Sequence, residues 1–506
     1  MPLTSLWVDR SRLDEPALTE APELPARSDV VVVGAGITGL TAALLLSRTG
    51  RSVTVLEARH VGAGTTGGST AKISLLQGTR LSTLGRKHGP GVVRRYVEAN
   101  REGQAWLLRF CDDHGVPYDV RTAYTYAADG DGAGVARREL RTARRAGLDA
   151  TWEPDLGLPF HHEGGVRLDG QAQVDPMAVL DALARETVRH GGRIVTGVRG
   201  RSVEGSAPPQ VVTDAGSITA DTVVLATGLP FLDRGGFFAR MTPQRSYSLA
   251  FRTETAAVDG MYLSTGRSSR SLRDAWDDDL GHLLLVGGAG HVTGRTASPR
   301  ARLDELRHWT AEWCPDAVET HAWSAQDFEP AHGLPFAGPV LPRAPDVLVA
   351  GGFSKWGMTN GVAAALALTA RITGGHLRWA DVLEPWRGTE VSGLPTAALA
   401  NAAVGLEMAG GWLRPVRNVG DGEPSAPGNG VVSYRGPRPP VATAVDDNGL
   451  GHRRSAVCTH LGGVVRWNDA ERSWDCPLHG SRFDADGSVL EGPATCGLRA
   501  GRPPGA

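Results

Sequence analysis

The chain is poor in cysteine, with five among its 506 residues. Cys111, Cys314, Cys458, Cys476 and Cys496 are odd in number and scattered apart from one pair. That excludes the disulfide framework that staples small secreted domains. The chain also lacks an excess of either charge: a formal net charge of -2 gives no general attraction to phosphate backbones. No basic stripe interleaved with aromatics is present either, so nucleic acid is not expected as a partner. No run reaches the roughly 18 uninterrupted apolar residues that a membrane span requires. The opening MPLTSLWVDRSRLDE is broken by Asp9, Arg10 and Arg12 before an apolar core of signal-peptide length can form. A cytoplasmic protein without a transmembrane segment is expected, and no internal repeat is visible.

What is present is an ordinary globular composition, 41% hydrophobic and 21% charged, with 66 glycines and 32 prolines to supply turns. At roughly 150 residues per domain the length predicts two to four units. From Asp29 the text DVVVV, GAGITG, LTAALLLSRTG, SVTVLEA predicts a buried strand, a glycine turn, a helix closed by Gly50, and a second strand. Further apolar strands, 222–226 and 347–350, each run into glycine far downstream. The nucleotide domain is therefore expected to be assembled from separated segments, with a second domain inserted between them. An Ala-rich stretch over 394–411 suggests helix, and the turn-rich 420–430 suggests a linker. The last 80 or so residues are short alternating runs broken by Gly, Pro and Asp, as in a small β domain. The expected boundaries are a lead over 1–27, a catalytic unit over 28–387, a helical linker over 388–415 and a terminal module over 416–506.

Gly34, Gly36 and Gly39 form G-x-G-x-x-G directly after the first strand, with Glu57 at the end of the next. Gly34 permits the tight turn, Gly36 lets main chain approach a pyrophosphate, and Gly39 lets helix and strand pack closely. The helix N-terminus offers free N–H groups to phosphate, and Glu57 can accept from a ribose. This motif does not separate FAD from NAD. Leu284 to Gly294 is also glycine-rich, but it lacks the helix and following acid of a second nucleotide site.

Three later segments, ATG at 226–228, WSAQDFEPAHGLPFAG at 323–338 and VLVAGGFSKWGMTNG at 347–361, resemble the D-amino-acid, glycine and sarcosine oxidase superfamily of flavoproteins. The resemblance covers roughly residues 28–375. It implies FAD, an α/β Rossmann-like domain and an inserted antiparallel-sheet substrate domain, the nucleotide segments being about 28–85, 170–230 and 335–375. It also implies cofactor contacts from Thr227 and Gly228, and from Gly352, Trp356, Thr359, Asn360 and Gly361 against the isoalloxazine. Asn360 and Gly361 would open the Ala-rich helix, whose N–H groups favour negative charge on the reduced ring. Thr65, Thr66, Thr70 and Lys72, in the loop GAGTTGGSTAK, are further expected cofactor contacts.

Cys458-Thr459-His460 and, fifteen residues on, Cys476-Pro477-Leu478-His479-Gly480 give C-x-H…C-x-x-H. Two thiolates with two imidazoles is the Rieske ligand set, which raises the potential of a [2Fe-2S] cluster. A structural zinc ion accepts the same residue types, but its motifs usually pair Cys with Cys and His with His. The surroundings CTHLGG, WDCPLHGSRFD and GSVLEGPA resemble Rieske domains fused behind flavin domains in bacterial oxidoreductases. Those domains commonly carry cysteines at the places of Gly463 and Leu478, forming a disulfide between the cluster loops. Both are absent here, so packing around Trp467, Trp474 and Pro477 is expected to brace the loops. Cys496 reads as a bystander thiol.

FAD takes two electrons from an organic substrate and a Rieske centre carries one at a time, so the pair implies a dehydrogenase with an internal electron exit. The resemblance implies oxidation of a C–N bond in an amine or amino acid, with a one-electron protein or a quinone as acceptor. Lys355, Arg245, Tyr247 and Arg273 are the candidate catalytic residues, with His291 and Trp356 beside them. An Arg can hold a substrate carboxylate. An electron-transfer protein without a metabolite substrate is the alternative. A Rieske oxygenase would need a mononuclear iron site, for which no segment is found.

Overall fold

The computed structural model describes residues 3–11, 19–20, 24–205, 207–266, 268–413, 426–434 and 439–501. Most of the expected linker turn at 420–430 lies outside them.

The valine run of Arg27–Val33 has both faces covered, which drives it to the middle of a parallel sheet. There it pairs in parallel with Val53–Leu56 on one side and Ser217–Gly228 on the other. Ala344–Gly351 adds to the far edge of the latter, with Val223 opposite Val347. The sheet is thus assembled from segments more than 300 residues apart in sequence. Helix Ile37–Ser47 is buried almost all round. It lies against helix Gly357–Ile372, where a Cβ on Gly361 would meet Thr38 Oγ1 at 2.6 Å, so close approach requires glycine there. The lead contributes too: helix Leu6–Arg10 buries Leu6 and Trp7, and Trp7 Nε1 donates to Ser69 O at 2.7 Å.

A second nine-stranded sheet runs 318–330, 241–252, 281–292, 270–277, 261–264, 118–126, 165–174, 72–73, with Thr151–Glu153 pairing off this path beside 165–174. It is antiparallel except where Met261–Ser264 pairs in parallel with Tyr118–Tyr126. Its strands come from between the segments of the first sheet, as an inserted domain requires.

The expected Ala-rich helix spans Leu394–Leu413. Beyond it lie a three-stranded sheet over 430–455 and a four-stranded sheet over 466–491. Their shared core holds Val465, Trp474, Leu478 and Phe483, all buried. Among the described residues no helix is long and apolar enough to cross a membrane.

Candidate functional site

The glycine turn makes the floor of a long cavity whose wall includes Gly34, Gly36, Glu57, Thr65, Thr66 and the 226–228 turn. Gly34 has φ +109°, and a Cβ there would lie 2.6 Å from Ala226 O. A Cβ on Gly39 would lie 1.9 Å from Gly34 O, so main chain crosses main chain with no room for a side chain. The helix that starts at Ile37 has glycine at its N-cap and so no cap from that residue; the N–H of Ile37 donates to Thr66 Oγ1 at 3.2 Å, and the N-terminal turn lines the cavity. Glu57 accepts from Ala35 N and Arg59 N, both at 2.9 Å, and this fixes its carboxylate at the cavity wall. A helix N-terminus at the wall, a glycine floor and a held carboxylate fit a dinucleotide. One stretch of the wall comes from the C-terminal module, including Glu491, Gly492 and Thr495.

A second cavity adjoins the first, and the two share Thr65, Ser69, Asp327, Lys355 and Met358 in their walls. Ser354 and Lys355 both have positive φ, +52° and +72°, a strained pair of the kind found at functional turns. Asp327 holds that turn: its carboxylate accepts the main-chain N–H of Lys355 and, at 2.7 Å, that of Phe328. Burial raises the Asp327 pKa against these bonds, and burial lowers that of Lys355 against the pull of Asp327 and Glu329.

The expected contacts distribute unevenly between the cavities. Thr70, Lys72, Tyr247 and Trp356 line the second cavity rather than the nucleotide cavity. The helix near the flavin turn begins at Gly357, three residues before the expected start, so the N–H groups at the cavity are those of Gly357 and Met358. Thr359 and Asn360 turn inward, where Thr359 Oγ1 donates to Asn100 Oδ1 at 2.6 Å and Asn360 Nδ2 donates to Tyr96 Oη at 3.1 Å. Gly352, at φ +73°, packs against Pro330. Thr359 and Asn360 are rotated away from the cavity by the first turn of the helix, and Gly352, before the helix, gives the backbone its close approach to Pro330.

Arg245 and Arg273 line neither cavity. Arg245 is 1% exposed, and its guanidinium grips Glu471 of the C-terminal module at 2.6 and 2.8 Å, with Glu491 at 3.4 Å. Arg482 joins the same carboxylate at 2.7 Å. Burial opposes the ionisation of Glu471, but Arg245 and Arg482 outweigh it and hold the carboxyl well below its usual range. Arg273 Nη1 donates to Thr70 O at 2.7 Å and Val174 O at 3.3 Å. Neither is placed to hold a substrate carboxylate. Tyr247 Oη meets His291 Nε2 at 2.9 Å while His291 Nδ1 meets Val292 O, so Nε2 is the acceptor.

In the C-terminal module the Cys458 and Cys476 thiols lie within hydrogen-bond reach of each other. The His460 and His479 rings lie 5.2 Å apart at 84°. His479 Nδ1 is buried without a partner, while His460 Nε2 meets Asp233 Oδ1 at 3.0 Å. Thiol beside thiol and imidazole beside imidazole fits a two-iron cluster with one pair on each metal. Among the described residues no three His, Cys, Asp or Glu converge as a single ion would demand. At the places of the family's extra cysteines, Leu478 closes directly over Gly463, where a Cβ would meet Leu478 Cγ at 2.6 Å. Side-chain contact thus replaces the staple. Trp467 and Trp474 pack edge to face at 4.7 Å beneath the loops.

The cluster loops lie against the rest of the chain. Phe238 stands edge to face with both imidazoles, at 5.5 and 5.0 Å. Arg295 Nε donates to Pro477 O at 2.8 Å. Gln326, in the wall of the nucleotide cavity, donates from Nε2 to Gly480 O at 2.9 Å. Asp233, Phe238, Gln326 and Asp327 were not singled out from sequence; Gln326 and Asp327 sit inside the quoted run WSAQDFEP, but their residue types alone mark no role.

A dinucleotide cradle opening onto a second cavity, with a Cys2His2 two-iron site packed against it, defines a flavoprotein oxidoreductase with an iron–sulfur module. The chain belongs to the FAD dependent oxidoreductase family, which matches residues 29–371, and residues 439–500 match the Rieske [2Fe-2S] domain. Its cofactors are FAD and a Rieske [2Fe-2S] cluster. It is 32% identical over 487 residues to the Rieske 2Fe-2S iron-sulfur protein YhfW of Bacillus subtilis, covering 94% of each chain. The module alone is 55% identical over 51 residues to the cytochrome b6-f complex iron-sulfur subunit 1 of a Nostoc species, which is 10% of this chain and 26% of that one. Among solved structures, glycine oxidase from Geobacillus kaustophilus shares the fold with a TM-score of 0.60 at 17% identity, covering 72% of this chain and all of that one. L-proline dehydrogenase from P. horikoshii does so at 0.59 and 17%, covering 72% and 98%.

Proposed function

We propose that this chain oxidises the C–N bond of an amine or amino acid in the second cavity and passes the electrons, one at a time, to the cluster in its own C-terminal module. Residues 28–387 form the catalytic unit in this reading, 388–415 the helical linker and 416–506 the cluster module. When bound, FAD supplies a two-electron acceptor and the cluster a one-electron exit. Gly34, Gly36, Gly39, Glu57, Thr65, Thr66, Thr227 and Gly228 would hold the FAD. Cys458 and Cys476 would ligate one iron, His460 and His479 the other. Lys355, held by Asp327 in the shared wall, would place a cation against charge that develops on the ring. The Ser246, Ser248 and Ser271 hydroxyls in the wall of the second cavity would orient a polar substrate.

The observation that carries this reading is the contact of Gln326 with both sites: it walls the flavin cavity and donates to Gly480 O, one residue past His479. An acceptor serving only external carriers would not need its imidazole edge turned onto the flavin domain. That solved proteins of this fold include a glycine oxidase and an L-proline dehydrogenase supports the substrate class. The test is anaerobic addition of a panel of amines and amino acids to the holoprotein. Flavin bleaching followed by cluster reduction is expected. If no compound bleaches the flavin while an external carrier reduces it readily, the chain is an electron-transfer protein and this reading fails.

A further inference from the structure

Of the 53 basic Lys and Arg residues in this chain, three are lysine: Lys72, Lys87 and Lys355. Lys87 is partly exposed, and its Nζ donates to Ala331 O at 2.6 Å. The other two line the second cavity. An arginine stays protonated in a protein, whereas a buried lysine can give its proton up. In a chain that otherwise uses arginine, an amine at two places in one cavity points to a need for a group that can be neutral.

The charged and titratable groups facing this cavity can be taken in turn. The Asp327 carboxylate is occupied by the N–H groups of Phe328 and Lys355. The Tyr247 hydroxyl is engaged by His291, and burial raises its pKa, so it keeps its proton. Burial lowers the Lys355 pKa, but Asp327 and Glu329 pull against it and favour its charged form. Lys72 differs from all three. Its Nζ donates to Ser271 Oγ at 2.5 Å and Thr70 Oγ1 at 3.4 Å, and among the described residues no carboxylate lies within ion-pair distance. The charge next to it is Arg273, whose own carboxylate neighbours are Asp274, Asp119 and Asp175. Burial first, and then Arg273, push Lys72 down to about 7. Arg273 also pins the carbonyls of Thr70 and Ala71, so the short strand that carries Lys72 is held in place. Ser246 Oγ, in the same wall, is buried without a partner and is free to meet a ligand.

We propose that Lys72 is the proton acceptor of the second cavity: its Nζ takes the proton that an ammonium substrate sheds before its C–N bond is oxidised. An ammonium nitrogen has no lone pair to feed the forming C=N bond, so the neutral amine is the reactive form. In the step, one substrate N–H bond breaks, one Nζ–H bond forms, and no electrons leave either partner. The same burial that depresses Lys72 would depress the ammonium of an amine bound beside it, which keeps the transfer near balance. This inference rests on the amine-oxidising reading above, and it adds the group that handles the proton. The sequence run STAK suggested a cofactor contact for this residue; the cavity it lines assigns it to substrate.

Three lysines make a direct test possible. Holoprotein labelled with 13C at lysine Cε should give three lysine resonances, assigned with Lys72→Arg, Lys87→Arg and Lys355→Met. The Lys72 resonance is expected to titrate near neutrality, and a midpoint above roughly pH 9, close to an ordinary lysine, overturns the proposal. In the second arm, an amine that bleaches the flavin should do so faster as pH rises through the Lys72 midpoint, with a plateau above it. Lys72→Arg keeps length and charge but cannot release the proton. It should slow bleaching by about 100-fold or more and erase the pH limb, with FAD and cluster spectra unchanged. Lys87→Arg should behave as wild type. Equal rates in wild type and Lys72→Arg would also overturn it. If no amine bleaches the flavin, the functional reading fails by itself, and the Lys72 resonance still decides whether this group is neutral.

Discussion

The FAD cradle and the cluster site hold their cofactors by different means. The cradle is main chain: Gly34, Gly36 and Gly39 exist to let backbone approach backbone or phosphate, and the parts meet only when strands from distant segments pair. The cluster site is four side chains on two loops between 458 and 479, braced by a local sheet of its own. A main-chain cradle fails when a side chain is added; a side-chain site fails when one is removed. The two should therefore be separable by single substitutions of opposite kind. Cys476→Ser should abolish the cluster, read as loss of iron and of the low-g electron paramagnetic resonance signal, and leave FAD bound. Gly39→Ala drives a methyl into Gly34 O and should abolish FAD binding while the cluster remains. Loss of both cofactors in either variant would break the comparison.

The contact between the two regions offers the next test. Arg245 is buried under Glu471 and Glu491, and removing it leaves Arg482 as the remaining cation on both carboxylates. Arg245→Met should lower stability, by less than the roughly 3–5 kcal/mol of a fully uncompensated buried charge, and loosen the module from the flavin domain, read as a lower melting temperature and faster amide exchange around Glu471. An unchanged melting temperature would mean that the module docks through its other contacts alone.

The difference between the regions also explains what was legible in sequence. Both cofactor motifs are local in chain: a glycine spacing between strand and helix, and two Cys-His loops in a short β text. The second cavity is not. Its Lys72, Ser246, Ser271 and Lys355 come from four elements that only the inserted sheet brings together. Arg245 illustrates why residue type misleads there. Strand Met241–Arg252 gives the cavity wall Gln244 and 246–248, whereas Arg245 is turned out of it onto Glu471 and Glu491 of the C-terminal module, a partnership no local pattern in the strand announces. Arg273 is drawn off by main-chain carbonyls that no sequence motif announces.

Lys355 sharpens the comparison on the flavin side. Its side chain lies in the wall shared by both cavities, and a cation there stabilises negative charge on reduction. Lys355→Met should lower the flavin potential by about 30 mV, equivalent to roughly 1.4 kcal/mol for a two-electron couple. No change in a redox titration would leave Lys355 a purely structural residue of the strained turn.

The smallest effect is expected at the cluster, through a hydrogen bond the chain lacks. Ser481 is fully buried, accepts from Ala494 N at 3.0 Å and lies beside Cys458, where its hydroxyl could donate to a thiolate. Such a donor stabilises the more negative reduced cluster. The next position where a high-potential Rieske protein offers a second donor, a tyrosine, is Phe483. Its ring is buried on the strand opposite Trp474 and brings no hydroxyl. One donor instead of two places the midpoint inside the roughly -150 to +300 mV Rieske range but below its upper end, so that the cluster accepts from flavin without holding the electron too tightly. Phe483→Tyr should raise that midpoint by about 30 mV, half of the 59 mV that a tenfold change represents for one electron. The shift is small because the added hydroxyl gains one bond and loses hydration on burial. A redox titration of the holoprotein at the top of the Rieske range, or a lower midpoint in Phe483→Tyr, would overturn this account of how the cluster is tuned.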